Sequence, residues 1–160
     1  MNTLIVFSSK YGCTEKCANL LSKELKDKVD VVNLKTKNDI SISQYDKVII
    51  GGSIYIGRIQ KEVTTFCSKN LEKLKERKIG LFICAGMKEE DQINKKISEV
   101  FPSELIDIAV VKKHLGGEYI FDKMNFFERF IVKKIAKVSS NQSNILNDNI
   151  HKFAKTMNSI

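Results

Sequence analysis

An α/β fold of three layers, a doubly wound parallel sheet of five strands with helices on both faces, is what the sequence predicts. Three observations predict it. Short, nearly continuous apolar runs alternate with longer amphipathic segments along the chain. Strands separated by helices form βαβ units, whose sheet is parallel and covered on both sides. The 160 residues suit one domain with one such sheet; it is read as residues 1–160, without linker or internal repeat.

Each element has its own signal. Residues 3–8 (Thr-Leu-Ile-Val-Phe-Ser) are apolar almost throughout, as a strand buried on both faces must be. Within residues 14–28, Cys17, Ala18, Leu21 and Leu25 recur at helical spacing. Strands follow at 29–34 and 47–53. The helix over 61–76 has Val63, Phe66, Leu71 and Leu74 as its inner face. The fourth strand is read at 79–85, a short helix at 89–100 stopped near Pro102, and the fifth strand at 105–112. Two helices, at 123–138 and 143–157, close the chain, with the polar run 139–144 between them.

Composition narrows the function classes. Hydrophobic residues make up 42% and charged residues 29%, which excludes collagen, low-complexity disorder and a disulfide scaffold. No stretch reaches the roughly 18 apolar residues of a membrane-spanning helix. The N-terminus lacks a basic leader region and is read as a mature cytoplasmic start. The cysteines (Cys13, Cys17, Cys67, Cys84) form no Cys-x-x-Cys pair, so no metal is expected and reduced, core-packed thiols are the better reading. With 27 Lys+Arg against 19 Asp+Glu, the net charge is +8, which favours anionic partners such as nucleic acid, phosphorylated cofactors or anionic lipid without choosing among them.

In an open parallel sheet, ligands bind beyond the carboxyl ends of the strands. The turn after the first strand reads Ser8-Ser9-Lys10-Tyr11-Gly12-Cys13-Thr14 and runs into a helix. A helix N-terminus offers unpaired amides and partial positive charge to a phosphate. The hydroxyls add donors, and Gly12 permits a tight turn. The loop has neither a Gly-Lys-Ser/Thr ending nor Gly-x-Gly-x-x-Gly, so nucleoside-triphosphate and dinucleotide sites are not indicated. An ordinary Ser/Thr helix cap is the alternative. After the third strand come Gly52-Ser53-Ile54-Tyr55-Ile56-Gly57, and after the fourth Ala85-Gly86-Met87. Both loops suit close approach to a flat apolar ring.

Together these loops and the strand–helix order resemble the flavodoxin superfamily. The stretches Phe7–Thr14, Gly52–Gly57 and Phe127–Ile135 are similar to the menaquinone-dependent protoporphyrinogen dehydrogenase group within it. The resemblance implies strand order 2-1-3-4-5 and a flavin mononucleotide (FMN) cofactor. It implies that Ser8, Ser9, Lys10, Tyr11, Gly12, Cys13 and Thr14 surround the phosphate. Ser53, Ile54, Tyr55, Ile56 and Gly57 then line one side of the flavin ring. Ala85, Gly86 and Met87 line the other, with Gly116, Gly117 and Glu118 nearby. Three features depart from the group: the ring before the strand-three glycine is displaced to Tyr55, the strand-four loop holds no Tyr or Trp, and the segment between strands four and five is shorter than the group's, which carries an inserted stretch there.

The resemblance implies an oxidoreductase of protoporphyrinogen type, with a quinone or other small-molecule acceptor. The alternative is an electron-transfer protein without a small-molecule substrate; a third reading is a binding module without flavin. No catalytic side chain is assigned, and His114 and His151 read as structural. On the helix at 123–138, Met124, Phe127, Ile131, Ile135 and Val138 form a stripe suited to the sheet. Phe126 and Phe130 fall among Arg129, Lys133 and Lys137. These two rings suit an amphiphilic anion, or peripheral contact with the inner face of an anionic membrane, or packing under the terminal helix, which is the expectation. Nucleic acid is not expected, and the oligomeric state is left open.

Overall fold

Strand β1 (Asn2–Ser8) lies between β2 (Lys28–Asn33) and β3 (Lys47–Ser53), and β4 (Lys78–Cys84) and β5 (Val111–His114) complete a parallel sheet of order β2-β1-β3-β4-β5. The computed structural model describes residues 1–160. Successive side chains alternate between two cores. Leu4 and Val6 of β1, Val48 and Ile50 of β3, and Ile79, Leu81 and Ile83 of β4 face one core. It is covered by α2 (Lys61–Lys75), α3 (Glu90–Val100) and α4 (Ser103–Ile108), through residues such as Phe66, Ile97 and Leu105. Ile5, Phe7, Ile49 and Phe82 face the other, under α1 (Cys13–Glu24) and α6 (Asn147–Asn158). Each fully buried aliphatic or aromatic side chain contributes roughly 1.5–3 kcal/mol.

Close packing needs glycine at two strand positions. A Cβ on Gly51 would lie 2.0 Å from Phe82 Cζ, and one on Gly80 would lie 2.7 Å from Phe153 Cζ. Phe82 and Phe153 then meet edge to face, with ring centroids 6.3 Å apart.

The C-terminal third differs from expectation. Residues 103–108 are helical and the fifth strand is Val111–His114, not 105–112. Pro102, with φ −55°, sets the helix entry. Leu105 is buried in the α2-side core with Ile106 packed against it, so apolar residues that read as strand pack from a short helix. Beyond His114 the chain turns at Gly116 (φ 111°). Strand β6 (Gly116–Tyr119) then pairs antiparallel with β7 (Gln142–Ile145), forming a second sheet of two strands. A Cβ on Gly116 would lie 2.2 Å from Asn144 O, so the pairing requires glycine there. Residues 142–145 were expected to be loop and helix start; they are strand because β6 needs a hydrogen-bonding partner.

Between β6 and β7, a 3₁₀ turn (Phe121–Lys123) leads into α5 (Phe126–Ile135). The expected helix over 123–138 is therefore shorter. Asn125 caps it: its side chain accepts from Glu128 N, and the Glu128 carboxylate accepts from Asn125 N. Lys137 (φ 55°) follows the helix C-cap, Ala136. The inner face is not the expected stripe. Val132 is buried with Phe121, Met124 and Val138, whereas Phe127 and Ile135 are 69% and 70% exposed. Phe126 and Phe130 do not pack under α6 either: they are 87% and 57% exposed. Its capping box, the buried Val132 and Arg129, whose Nε donates to Phe121 O and Met124 O at 2.8 and 3.1 Å, hold the helix, and Phe126, Phe127, Phe130 and Ile135 face water.

Candidate functional site

The chain leaves β1 toward β2 on one side and returns to β3 on the other, so a crevice opens at the carboxyl ends of β1 and β3. The β1–α1 turn forms its floor. Gly12 (φ 103°) precedes α1, which has no side-chain cap. Gly12 N donates to Ser9 Oγ at 2.9 Å, which fixes the turn. Thr14 is buried, and its Oγ1 has no hydrogen-bond partner. A buried orphan hydroxyl costs about 1–3 kcal/mol, and here it sits at the second residue of an uncapped helix, where amides also lack partners. Two ammonium groups reach the same turn: Lys35 Nζ donates to Ser9 O, and Lys123 Nζ to Tyr11 O at 3.0 Å. The donor set is that of an anion site. Ser8 differs from the rest, because its hydroxyl donates instead to Glu62 Oε2 at 3.4 Å.

A narrow cleft rises from this turn, with an enclosed volume of about 70 Å³. Ser9, Lys10, Tyr11, Cys13, Ser53, Ile54, Tyr55, Ala85, Gly86, Gly117 and Glu118 line it. Ser8, Gly12, Thr14 and Gly116 are not among the lining residues, and Ser8 and Thr14 are fully buried. Ile56 and Gly57 form the exposed tip of the strand-three loop, and Met87 turns into a separate groove beside α3. Tyr55 N and O bond Arg58 O and N at 2.9 and 3.1 Å, so the tip is a two-residue turn. Its central residues both have positive φ, 48° at Ile56 and 72° at Gly57. Gln60 braces the loop, accepting from Ser53 N at 2.9 Å and donating to Ser53 O and Oγ at 2.9 and 2.7 Å.

Three tyrosines shape the cleft. Tyr11 and Tyr55 meet edge to face at 6.3 Å, and Lys10 Nζ stands 3.5 Å from the Tyr55 ring centre. Lys10 also pairs with Glu128 at 3.0 Å. Burial, with the nearby Glu128 carboxylate, pushes the Tyr11 hydroxyl well above its ordinary range, so it stays protonated; it too lacks a hydrogen-bond partner. Tyr119 lies across Gly86, where a Cβ would come within 1.9 Å of its hydroxyl. His114 is buried, with Nε2 2.7 Å from Ala85 O; it holds the strand-four loop from beneath. Glu118 is fixed by Lys16 at 3.0 Å and Ser143 Oγ at 2.7 Å.

Cys13 and Cys84 also line the cleft, and Cys17 stands behind them. The three sulfurs lie within 4.8 Å of one another, a convergence that sequence spacing does not reveal. All four cysteines are free thiols. The Cys17 and Cys84 thiols stabilise the Cys13 thiolate and lower its pKa, while they themselves are pushed up.

Sequence reasoning misses several site residues. Cys84, Tyr119, Met124 and Val132 line the cleft, and Lys35, Lys123 and Gln60 bond its loops. Tyr119, Met124 and Val132 arrive only through the β6–α5–β7 excursion. Gln60 carries a usable signal, since it ends the Gly52–Gly57 loop directly before α2.

An open α/β sheet of this strand order, with a phosphate-type turn after β1 and aromatic walls above it, is the architecture of a flavin-binding domain. The chain belongs to the flavodoxin domain family, whose sequence model matches residues 4–145. Membership implies a flavin cofactor. Among curated relatives, the chain is 26% identical over 153 residues to protoporphyrinogen IX dehydrogenase [quinone] of Escherichia coli strain K12, covering 89% of this chain and 83% of the relative. Among solved structures, it is similar to a flavodoxin of Streptococcus pneumoniae TIGR4, with TM-score 0.62, 16% identity and 99% of each chain covered. It is also similar to rubredoxin oxygen:oxidoreductase of Desulfovibrio gigas, with TM-score 0.53 and 15% identity. There the match covers 96% of this chain and 36% of the larger protein.

Proposed function

We propose that this protein is an FMN-dependent oxidoreductase that takes electrons from a flat hydrophobic donor of the protoporphyrinogen class and passes them to a quinone or similar acceptor. The observation that carries the cofactor part is the unpartnered, buried Thr14 hydroxyl at the uncapped start of α1. A phosphate monoester at this turn satisfies that hydroxyl and the first-turn amides, and Lys35 and Lys123 balance its charge. The Tyr55 loop and the Gly86–Tyr119 wall, which line the cleft, would hold the flavin ring. Bound FMN supplies one- and two-electron transfer. The chain's own residues bind it, hold the ring edge and exclude water. The donor class is supported by the curated relative that acts on protoporphyrinogen IX and by the cationic surroundings of the cleft.

Reconstitution tests the reading in two stages. The protein is expected to bind FMN more tightly than riboflavin, which lacks the phosphate; equal affinity overturns the phosphate assignment. Anaerobic mixing of the FMN-loaded protein with protoporphyrinogen IX is expected to bleach the visible flavin band. A band that persists, in a protein reduced readily by a flavodoxin reductase, replaces this reading with that of an electron-transfer protein.

A further inference from the structure

We propose that the outer face of α5 docks on anionic phospholipid membrane. Four of the eight exposed large hydrophobic residues in the chain, Phe126, Phe127, Phe130 and Ile135, stand on this one helix of ten residues. With 3.6 residues per turn, Phe126, Phe130, Phe127, Ile131 and Ile135 sweep out about 180° of its surface. Val132 lies outside that arc and is the residue buried beneath the helix. A solvated helix places its apolar stripe inward; α5 buries Val132, half-buries Ile131 and exposes Phe126, Phe127, Phe130 and Ile135.

Lys134 falls inside the apolar arc, Lys133 at its edge, and Lys137 follows at the helix end. None of the three pairs with a carboxylate. The acids of the segment are already engaged, Glu128 by Lys10 and Asp122 by Asn141. Uncompensated cations around exposed phenylalanines match an anionic interface, where rings and aliphatic chains enter the acyl boundary and lysines reach the phosphates.

The other occupants fit less well. Helix α6 cannot cover the face, because its apolar residues Ile150, Phe153, Ala154 and Met157 are buried against the sheet and α1. A second copy would set Lys133, Lys134 and Lys137 against the same three cations. Nucleic acid would use the cations and leave the aliphatic Ile135, 70% exposed, wet.

Met124 and Val132, on the inner side of this segment, line the cleft. Docking would therefore hold the cleft about one helix diameter, roughly 10 Å, from the bilayer. That consequence, delivery of electrons to an acceptor dissolved in lipid, rests on the proposed function; the docking itself does not.

Flotation of the full-length protein with vesicles of phosphatidylglycerol and phosphatidylcholine is the test. The protein is expected to float with mixed vesicles, to stay behind with pure phosphatidylcholine, and to be released by high salt. Phe126→Ser with Phe130→Ser is expected to abolish flotation, and Lys134→Gln to weaken it about fivefold, as loss of one surface cation predicts. FMN affinity of each variant, read from the visible spectrum, is expected to be unchanged, which separates failure here from failure of the cofactor reading. Absence of flotation, or flotation indifferent to the phenylalanine pair, overturns the proposal. Reversible self-association in sedimentation, abolished by the same pair, overturns it in favour of a second copy.

Discussion

Thr14 and Ile56 each hold a local state that is unfavourable in isolation. Thr14 buries a hydroxyl without a partner. Ile56, β-branched, holds φ 48° at a cost of about 1–3 kcal/mol. Replacing Thr14 with Val removes the orphan polar group at nearly constant shape. The flavin-free protein is expected to keep or raise its thermal midpoint, while FMN affinity falls about 10- to 150-fold, the equivalent of the 1.5–3 kcal/mol of one charge-assisted hydrogen bond. The opposite signs are the signature of a binding residue, and calorimetry with flavin titration reads both. Ile56→Asn places a residue that tolerates positive φ in the same turn, and is expected to stabilise the protein by about 1 kcal/mol. Denaturant unfolding of the flavin-free chain checks it; a loss of stability would mean that Ile56 packing outweighs its backbone cost. The hydroxyl-rich turn is legible in the sequence because its donors are consecutive. Tyr119 is not, since nothing near residue 119 in sequence shows that its ring crosses Gly86.

The β6–α5–β7 excursion is where sequence reasoning fails as a whole, and the cause is physical. The central strands are buried on both faces, so their apolar runs declare them. The short β7 (Gln142–Ile145) carries three exposed residues and is a strand only through its ladder to β6. Likewise, apolar residues at helical spacing in 123–138 reveal a helix but not which arc it buries. Gly86 tests how the excursion closes the cleft. A Cβ there meets Tyr119 Oη at 1.9 Å and Cζ at 2.6 Å, so Gly86→Ala must swing the ring aside. We expect FMN affinity to drop at least tenfold, and stability to fall by about 1–3 kcal/mol, the usual cost of overpacking. Adding Tyr119→Ala removes the clash partner and is expected to make the stability loss less than additive. Full additivity in thermal unfolding would show that the two residues do not meet.

At the scale of the whole molecule, the sheet edge opposite the ligand side is tied by one largely buried ion pair. Lys47, 1% exposed at the start of β3, reaches Asp27 Oδ2 at 2.9 Å and donates to Met157 O of α6 at 2.7 Å. Asp27, in the turn before β2, also accepts from Thr3 Oγ1 of β1 at 2.8 Å. One cluster thus joins β1, β3, α6 and the turn into β2. Burial works to raise the Asp27 carboxyl, but the Lys47 ammonium and the Thr3 hydroxyl outweigh it, leaving its pKa below the ordinary 3.8. A carboxyl depressed in the folded state adds stability above its unfolded pKa, and that stability is lost as pH falls through the folded value. The contribution is therefore complete at neutral pH and disappears below about pH 4. Asp27→Asn leaves the Lys47 ammonium buried without its counter-charge and is expected to cost about 3–5 kcal/mol at pH 7. It is also expected to flatten the acid limb of the stability curve. Asp27→Leu with Lys47→Met, which removes both charges, is expected to recover most of the loss. Urea unfolding of the three proteins between pH 3 and pH 7 decides the matter. If the single and double variants are equally destabilised, the cluster holds the far edge by packing and not by charge.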